Sequence, residues 1–467
     1  MVDIATKVTA PGRWRSNFAK IPDAAKGPAL SRRDTIPRLV VESDLCSPPH
    51  RRRIRTMPRN RRPLLAAAVL VSLSLCGAAI TAASAVAQGP SVASSAVSPV
   101  HATAKQRAAL RMHPQIVQPG RGTKRAAKAK SAMTGVFAPA RKGRAVKLQR
   151  KAGARWVTVA QAKQNGRGEA QFTAPYKLKG RLLTYRVLAP AGGGLDKIAS
   201  NGVRTDQWGQ ADWTDEFGGH ALGADWNHRL QGYSAVSLRR CSKASPRAVQ
   251  VTDGAVHLSV LNDPARPTLE DELNGTRKCR YAGRSYEWRL NGHIGTQDAE
   301  KDFLYGFAAA RVKVQPLRGQ HASFWLQPTA PAAPEGSAKQ TGAEIDVIEW
   351  FGKNHPNGGL SSFIWHYPDD GGPGKTGVKI GGFIKNPGRF GGKWHQRYHV
   401  FSVEWTPKRY IFRIDGKETY RTGKGVSGQR QFLILSLLSS DYELQYLGGE
   451  DRLRQTMAVD WVRYWER

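Results

Sequence analysis

The sequence is poor in cysteine and in acidic residues. Four cysteines occur among 467 residues, and 36 Asp and Glu stand against 72 Lys and Arg, for a formal net charge of +36. The acidic deficit lies in the first 205 residues, which hold 7 acidic and 38 basic residues. Residues 206–467 hold 29 and 34, the near-neutral balance of an ordinary globular domain. The basic excess therefore belongs to the N-terminal part.

Residues 206–467 also lack any amphipathic stretch of helical period and useful length. Short apolar runs of strand length recur instead, and eleven of the thirteen tryptophans fall in this part. The absence excludes a helical domain, and the recurring runs predict one large β-sandwich.

The N-terminal part contains one long uncharged run. From Met57 the chain reads MPRNRRPLLAAAVLVSLSLCGAAITAASAVAQGP, in which arginines precede an apolar stretch and residues 85–87 form a small-x-small cleavage site. This layout predicts a secretory signal peptide over residues 57–87, with residues 1–56 upstream of the true start or disordered. The alternative is a membrane anchor, because the run is long enough to span a bilayer. Both interpretations place the rest of the chain outside the cell.

Only two cysteines, Cys241 and Cys279, follow the predicted signal peptide. An even pair in an exported protein predicts a disulfide. Two free thiols are the alternative, because spacing alone does not bring two Cα atoms together.

The rest of the chain divides by composition. Residues 88–130, rich in Ala, Ser, Lys and Arg, predict a flexible basic linker. Short apolar stretches between turn signals predict a small β-sandwich over residues 131–190, similar to immunoglobulin-like accessory modules of exported proteins. Residues 191–205 predict a second linker before the large domain at 206–467.

The basic N-terminal part has an expected partner. In an exported protein we expect it to bind anionic cell-wall polymers. Nucleic acid is excluded because aromatic residues do not alternate with the basic ones, as stacking on single strands requires.

The stretch AEIDVIEWFG concentrates acids inside an apolar run. Alternation along a strand puts Glu344 and Asp346 on one face and would turn Glu349 to the other. One extra residue, a β-bulge near Val347–Ile348, would return Glu349 to the acidic face. Two carboxylates on one face of a sheet are the groups that hydrolyse a glycosidic bond, one as nucleophile and one as proton donor. A solvated acidic face is the alternative.

EIDVIE resembles the active-site strand of glycoside hydrolase family 16 in its bulge-containing form. Flanking stretches match the family in the same order over about residues 206–467: WTDEFGGHALGADW, YGFAAARVKVQP, ASFWLQP, HVFSVEWTPKRYIFRIDGK and MAVDWVRYWER. The resemblance implies an all-β fold, a concanavalin-type jelly-roll sandwich with its substrate cleft on one sheet. It also implies that Glu344 is the nucleophile, Asp346 its assistant and Glu349 the general acid/base.

The resemblance implies further site residues. Trp325 falls where the family has a sugar-contacting tryptophan, with a core position as the alternative, and Trp226 and His366 are further cleft candidates. Glu216 and Asp460 match the family's ligands for a structural Ca²⁺, with surface salt bridges as the alternative. One departure is His293 in LNGHIGT, where many members have Arg.

The expected function is a secreted, monomeric endo-β-glucanase, without a catalytic cofactor, acting on β-1,3- or mixed β-1,3/1,4-glucans. A galactan hydrolase of the agarose or carrageenan type and a transglycosylase stay open, because cleft loops decide the linkage. A non-catalytic carbohydrate-binding protein is the remaining alternative, although it would have no use for Glu344 and Glu349 at bulge spacing.

Overall fold

The described part of the chain is built almost entirely of β-strands. The computed structural model describes residues 105–117, 129–234, 238–265, 278–329, 337–366, 378–447 and 452–467. The all-β prediction is confirmed. Residues 1–56, the signal segment 57–87 and most of the linker 88–130 lie outside the described residues. Within the described ranges, no helix is long and apolar enough to cross a membrane.

Two packed sheets form an N-terminal module. Its strands are β1 (Arg107–Met112), β2 (Lys130–Ala138), β3 (Ala145–Ala152), β4 (Arg155–Lys163), β5 (Glu169–Pro175), β6 (Lys177–Leu178), β7 (Arg181–Leu182), β8 (Thr184–Ala189), β9 (Ile198–Ala199) and β10 (Val203–Arg204). One sheet has the order β1-β2-β5 and the other β10-β8-β3-β4, with β9 also paired to β8. Their inner faces bury Met133, Phe137, Val146, Phe172, Tyr185 and Val187. The likeness of this module to an immunoglobulin domain stays a prediction.

The module extends beyond its predicted bounds. Strand β1 lies in the segment predicted as the first linker, and β9 and β10 lie in the second. Strand β1 was missed because its basic composition suggested a linker, whereas the alternation in RAALRM buries Leu110 and Met112 against β2.

The strands of the larger domain begin at Trp213. Its strands are β11 (Trp213–Asp215), β12 (Asn227–His228), β13 (Ser242–Ala244), β14 (Val249–Thr252), β15 (Ala255–Asn262), β16 (Cys279–Tyr281), β17 (Arg284–Tyr286), β18 (Arg289–Gly295), β19 (Asp302–Phe303), β20 (Gly306–Lys313), β21 (His321–Pro328), β22 (Glu344–Trp350), β23 (Leu360–His366), β24 (Val378–Phe383), β25 (His399–Thr406), β26 (Arg409–Ile414), β27 (Lys417–Thr422), β28 (Gln431–Leu438) and β29 (Gln455–Glu466). The helical elements are α1 (Ala338–Thr341), α2 (Asp441–Leu444) and two 3₁₀ turns at Pro246–Ala248 and Pro387–Phe390.

These strands form the predicted jelly-roll sandwich. Sheet A has the order β14-β15-β29-β20-β25-β26-β27, and sheet B has the order β12-β18-β28-β21-β22-β23-β24. Strand β15 also pairs with β18, which joins the two sheets at one edge. Inward-facing side chains such as Leu258 and Ala308 from sheet A and Leu435 and Ile345 from sheet B belong to one hydrophobic core. Alternation in each strand therefore leaves the outer face of each sheet for other contacts.

The outer face of sheet A is covered by the N-terminal module. Ile116 and Ala132 of the module pack in one buried cluster with Phe307, Trp461 and Trp465 of sheet A. Aromatic side chains of this size bury large apolar areas, so this contact contributes strongly to holding the module in place.

Polar contacts reinforce the same interface. Arg167 lies 2.8 Å from Glu169 in the module and 2.9 Å from Glu418 of β27. Arg421 of β27 returns a contact to Glu169 at 3.1 Å. Each carboxylate at this border therefore faces guanidinium groups from both parts of the chain.

A glycine sets how closely the two parts approach. Gly416, in the turn between β26 and β27, has φ of +78°, and a Cβ built there would lie 2.4 Å from the Cβ of Ala132 and 3.1 Å from Val117 Cγ2. Gly180 has the same φ of +78°, but a Cβ there would meet nothing within 4 Å.

We predict that Gly416→Ala destabilises the protein more than Gly180→Ala does. Both substitutions carry the strain of a left-handed backbone, about 1–2 kcal/mol, but only Gly416→Ala pushes the module away from sheet A, at a further cost of about 1–3 kcal/mol. Thermal melts of the two variants measure the difference. Equal losses of Tm would show that the module does not rest on this turn.

Candidate active site

Strand β22 carries the three acids and contains a bulge. Against β21, Trp325 pairs with Asp346 and Phe324 with Ile348, so Val347 is an extra residue. On the other side, the register to β23 also shifts between Asp346 and Glu349. The bulge predicted at Val347–Ile348 is confirmed.

The bulge separates acids from core. Ile345, Val347 and Ile348 are buried in the main hydrophobic core between the sheets. Because two consecutive residues point inward at the bulge, Glu349 joins Asp346 on the outer face of sheet B instead of entering the core.

Cross-strand pairs show which side chains share that outer face, because directly paired residues point the same way. The row through Glu349 is His293, Ser436, Ser323, Glu349, Ser361 and Phe383. The row through Asp346 is Ile434, Trp325, Asp346 and Phe363. The outer face of sheet B thus gathers acids, hydroxyls and aromatic rings, and we call it the acid-bearing face.

Glu344 is held by an amide from the neighbouring strand. Gln327 Nε2 donates to Glu344 Oε2 at 3.1 Å, and Trp365 is the cross-strand partner of Glu344 on β23. Glu344 is half-buried, and Trp365 is also half-buried. An apolar ring beside a carboxylate offers a surface on which a sugar ring can stack.

The other two acids are more deeply set. Asp346 is 1% exposed and Glu349 is 7% exposed. The hydroxyl of Ser361 donates to Glu349 Oε2 at 3.4 Å. Burial raises the pKa of the Tyr442 hydroxyl in α2, and the negative charges of Glu443 and Glu349 raise it further. Tyr442 therefore interacts electrostatically with the Glu349 carboxylate.

Arg229 brings a positive charge to this face. Its Nη2 donates to Gln327 Oε1 at 3.0 Å, and its guanidinium lies over the rings of Phe432 and Trp325 at 5.2 and 5.8 Å. Burial lowers the pKa of Arg229 to about 10, while the carboxylates of Glu344 and Asp298 oppose that shift. The side chain is therefore charged at neutral pH.

Trp325 lies on the acid-bearing face. It packs with Phe432 and Ile434 apart from the main core, stacks on His293 with ring centroids 6.0 Å apart, and donates its Nε1–H to Ser436 Oγ at 3.1 Å. The alternative of a core tryptophan between the sheets is thus wrong. Its contact with sugar stays a prediction.

Two other predicted cleft residues do not reach this face. Trp226 is buried in the main core and donates to Asp215 Oδ2 at 2.8 Å. His366 packs against Gly425, and a Cβ built on that glycine would lie 2.6 Å from the His366 ring. Trp365 faces Glu344, so alternation along β23 turns the next residue, His366, to the other face of the sheet. Both predictions were wrong.

Four residues of the site were missed in the sequence. Gln327 and Trp365 follow from alternation, one counted from Trp325 along β21 and the other read opposite Glu344. Arg229 and Tyr442 lie outside the strands of the sheet, where no periodic signal marks them.

The predicted disulfide is confirmed. Cys241 and Cys279 are bonded, with Cα atoms 5.5 Å apart, and lie in a buried cluster with Tyr286 and Trp288. In the chain-entropy view, closing a loop of 38 residues stabilises the fold by about 3–4 kcal/mol.

The carboxylates implied as calcium ligands already hold arginines. Arg311 Nη1 lies 2.6 Å from Asp460 Oδ2, and Arg463 pairs with Glu216. The described ranges contain no group of three or more His, Cys, Asp or Glu side chains suited to a metal ion. Since a guanidinium occupies each carboxylate, this donor set does not fit calcium.

Residues 252–463 match the sequence profile of Glycosyl hydrolases family 16. Over these residues, which include strand β22 with its three acids, the chain is similar to that family of glycoside hydrolases.

Two relatives align with this part of the chain. Over 220 residues it is 27% identical to glucan endo-1,3-beta-glucosidase A1 of Niallia circulans, covering 45% of this chain and 29% of that protein. Over 242 residues it is 22% identical to Gram-negative bacteria-binding protein 3 of Drosophila melanogaster, covering 48% and 47%. The chain thus spans less than half the length of either relative.

A solved structure also aligns with the chain. The laminarinase catalytic domain of Thermotoga maritima MSB8 gives a TM-score of 0.40 at 17% identity, over 55% of this chain and 98% of that one.

We predict that calcium does not stabilise this protein. A native-state ion at 100 times its Kd would add about 2.7 kcal/mol, but Arg311 and Arg463 already neutralise Asp460 and Glu216. Melts in excess EGTA and in millimolar calcium should give the same Tm. A rise in Tm with calcium that disappears in Asp460→Asn would contradict the expectation.

Proposed function

We propose that this chain is a retaining endo-β-glucanase that hydrolyses β-1,3- or mixed β-1,3/1,4-glucans. The observation that carries the proposal is the bulge in β22, which puts Glu344, Asp346 and Glu349 together on the outer face of a family 16 sheet. A strand with a merely solvated acidic face would not need a bulge that keeps two carboxylates almost fully buried.

The proposed reaction has two displacements. In the first, an oxygen of Glu344 bonds to the anomeric carbon while the glycosidic C–O bond breaks and Glu349 gives its proton to the departing oxygen. In the second, Glu349 takes a proton from water, the water oxygen bonds to the same carbon, and the bond to Glu344 breaks. Two inversions return the original anomeric configuration.

Asp346 has a supporting part in this scheme. It sits between the two glutamates along the acid-bearing face and is the most buried of the three. We assign Asp346 to assisting Glu344, the nucleophile two residues before it on the same face of β22.

The substrate assignment rests on one aromatic ring of the face and on one relative. Trp365 of β23 pairs with Glu344 and is half-buried, so its ring offers a flat surface to a glucose unit beside that acid. The Niallia circulans relative bears the name of a glucan endo-1,3-β-glucosidase. An endo-acting glucanase agrees with both.

Purified protein is predicted to release oligosaccharides from laminarin or barley β-glucan, and Glu344→Ala should abolish this because attack on the anomeric carbon is lost. Glu349→Ala should lower kcat/KM on polysaccharide by about 10²–10⁴-fold. The Glu349→Ala variant should still form the glycosyl-enzyme from an aryl glycoside whose leaving group needs no proton. Chromatography of the products and steady-state kinetics measure these effects.

Azide separates the two roles. It should speed turnover of Glu349→Ala on the aryl glycoside and yield a β-glycosyl azide, because it attacks the face opposite Glu344. An α-azide would reverse the assignments. Release of products only from agarose or κ-carrageenan would favour the galactan alternative, and binding without any release would favour a non-catalytic glucan-binding protein.

Export and wall attachment complete the proposal. The Cys241–Cys279 disulfide suits an oxidising compartment, and the basic residues of the N-terminal part suit anionic wall polymers. The N terminus of protein recovered from culture medium should lie near Gln88. A chain recovered intact from Met1 in membranes would favour the membrane anchor.

Binding of the protein to cell walls should weaken as salt rises, because salt screens the attraction between opposite charges. Wall binding that salt does not change would contradict the electrostatic attachment.

A further inference from the structure

A chain of two hydrogen bonds leads from Arg229 to Glu344. Arg229 Nη2 donates to Gln327 Oε1 at 3.0 Å, and Gln327 Nε2 donates to Glu344 Oε2 at 3.1 Å. A guanidinium has donors and no acceptor, so only the oxygen of the Gln327 amide can face Arg229. The NH₂ end is thereby turned to Glu344.

We propose that Arg229 is a positioning residue that acts through Gln327 to fix the orientation of the Glu344 carboxylate. The proposal rests on the nucleophile role given to Glu344 in the proposed function. The hydrogen bond from the amide to one oxygen of Glu344 fixes the plane in which this carboxylate meets the anomeric carbon. The same amide donates to the carboxylate as it leaves in the second displacement.

Arg229 is itself fixed from several sides. Its backbone N–H donates to the carbonyl of His293 at 3.0 Å, its Nε donates to His293 Nε2 at 3.2 Å, and its Nη1 donates to Gln297 Oε1. With the ring of Phe432 under its guanidinium, the side chain has little rotational freedom. A rigid donor is what a fixed amide orientation requires.

The sheet leaves room for this arginine at Gly295. A Cβ built on Gly295 would lie 2.9 Å from Arg229 Cδ and 3.5 Å from its Cγ. The aliphatic part of Arg229 therefore lies directly over the glycine. Gly295→Ala displaces the guanidinium without removing its charge, which makes it a second way to test the same contact.

The test follows formation of the glycosyl-enzyme. Wild type, Arg229→Met, Gln327→Met and the double variant are incubated with 2,4-dinitrophenyl 2-deoxy-2-fluoro-β-laminaribioside, whose leaving group needs no proton from Glu349. Release of dinitrophenolate and intact-protein mass measure the rate of labelling. We expect Arg229→Met to lower the maximal rate on the order of 10- to 100-fold, the range that misplacement of a reacting group by about 1 Å produces, with the half-saturating concentration little changed.

Coupling between the two residues decides whether Arg229 acts through the amide. If it does, the double variant is no slower than Gln327→Met, because the second substitution removes an interaction already lost. If the fold-losses of the two single variants multiply in the double variant, Arg229 does not act through Gln327. An unchanged rate in Arg229→Met would overturn the positioning role itself.

Three further variants separate loss of the Arg229 contact from misfolding and from a general effect of removing an arginine. Arg229→Lys should recover part of the rate, since a lysine is a donor without the planar fork, and Gly295→Ala should show the loss if Arg229→Met does not fold. Arg247→Met, at an exposed arginine in the turn before β14, is the control. Wild type that is never labelled would count against the proposed function, whereas labelled wild type with an unaffected Gly295→Ala would count against Arg229.

Discussion

The phase of strand β22 is the constraint on which the acid-bearing face depends. An unpaired carboxylate in the core between the sheets would be very costly, and strict alternation would place Glu349 there. The extra residue at Val347 turns Glu349 to the outer face of sheet B and buries Val347 and Ile348 side by side in the core. One bulge therefore both fills the core and brings Glu349 to the acid-bearing face. Ser362 of β23 donates its hydroxyl to the carbonyl of Val347 at 2.9 Å, which supplies a partner at the point where the ladder is interrupted.

Features that depend on strand period were predictable from the sequence. The acids and the bulge follow from EIDVIE, whereas Trp325 was predicted from the resemblance of ASFWLQP to the family. Trp365 and Gln327 follow from alternation too, since Trp365 pairs with Glu344 and Gln327 lies two residues after Trp325 on the same strand. His366, named as a cleft candidate, was wrong because the alternation along β23 turns Trp365, and not His366, to the face of Glu344.

Features that depend on distant loops or on partners far apart in the chain were not predictable. Arg229 comes from a stretch without period and reaches the site only through the fold. The arginine that pairs with an implied calcium ligand was equally out of reach, because the partner of Asp460 is Arg311, 149 positions away in the chain. Strand β1 was hidden by composition, because a basic segment is read as a linker until a neighbouring strand pairs with it.

The N-terminal module and the three acids lie on opposite sides of the larger domain. It lies on the outer side of sheet A, whereas the three acids lie on the outer side of sheet B, with the whole hydrophobic core between them. Under the proposed wall attachment, a polymer bound by the module would lie behind the larger domain, on the side away from the acids. Anchored in this way, the protein would turn its cleft toward the medium and meet chains that approach from outside the surface to which it is attached.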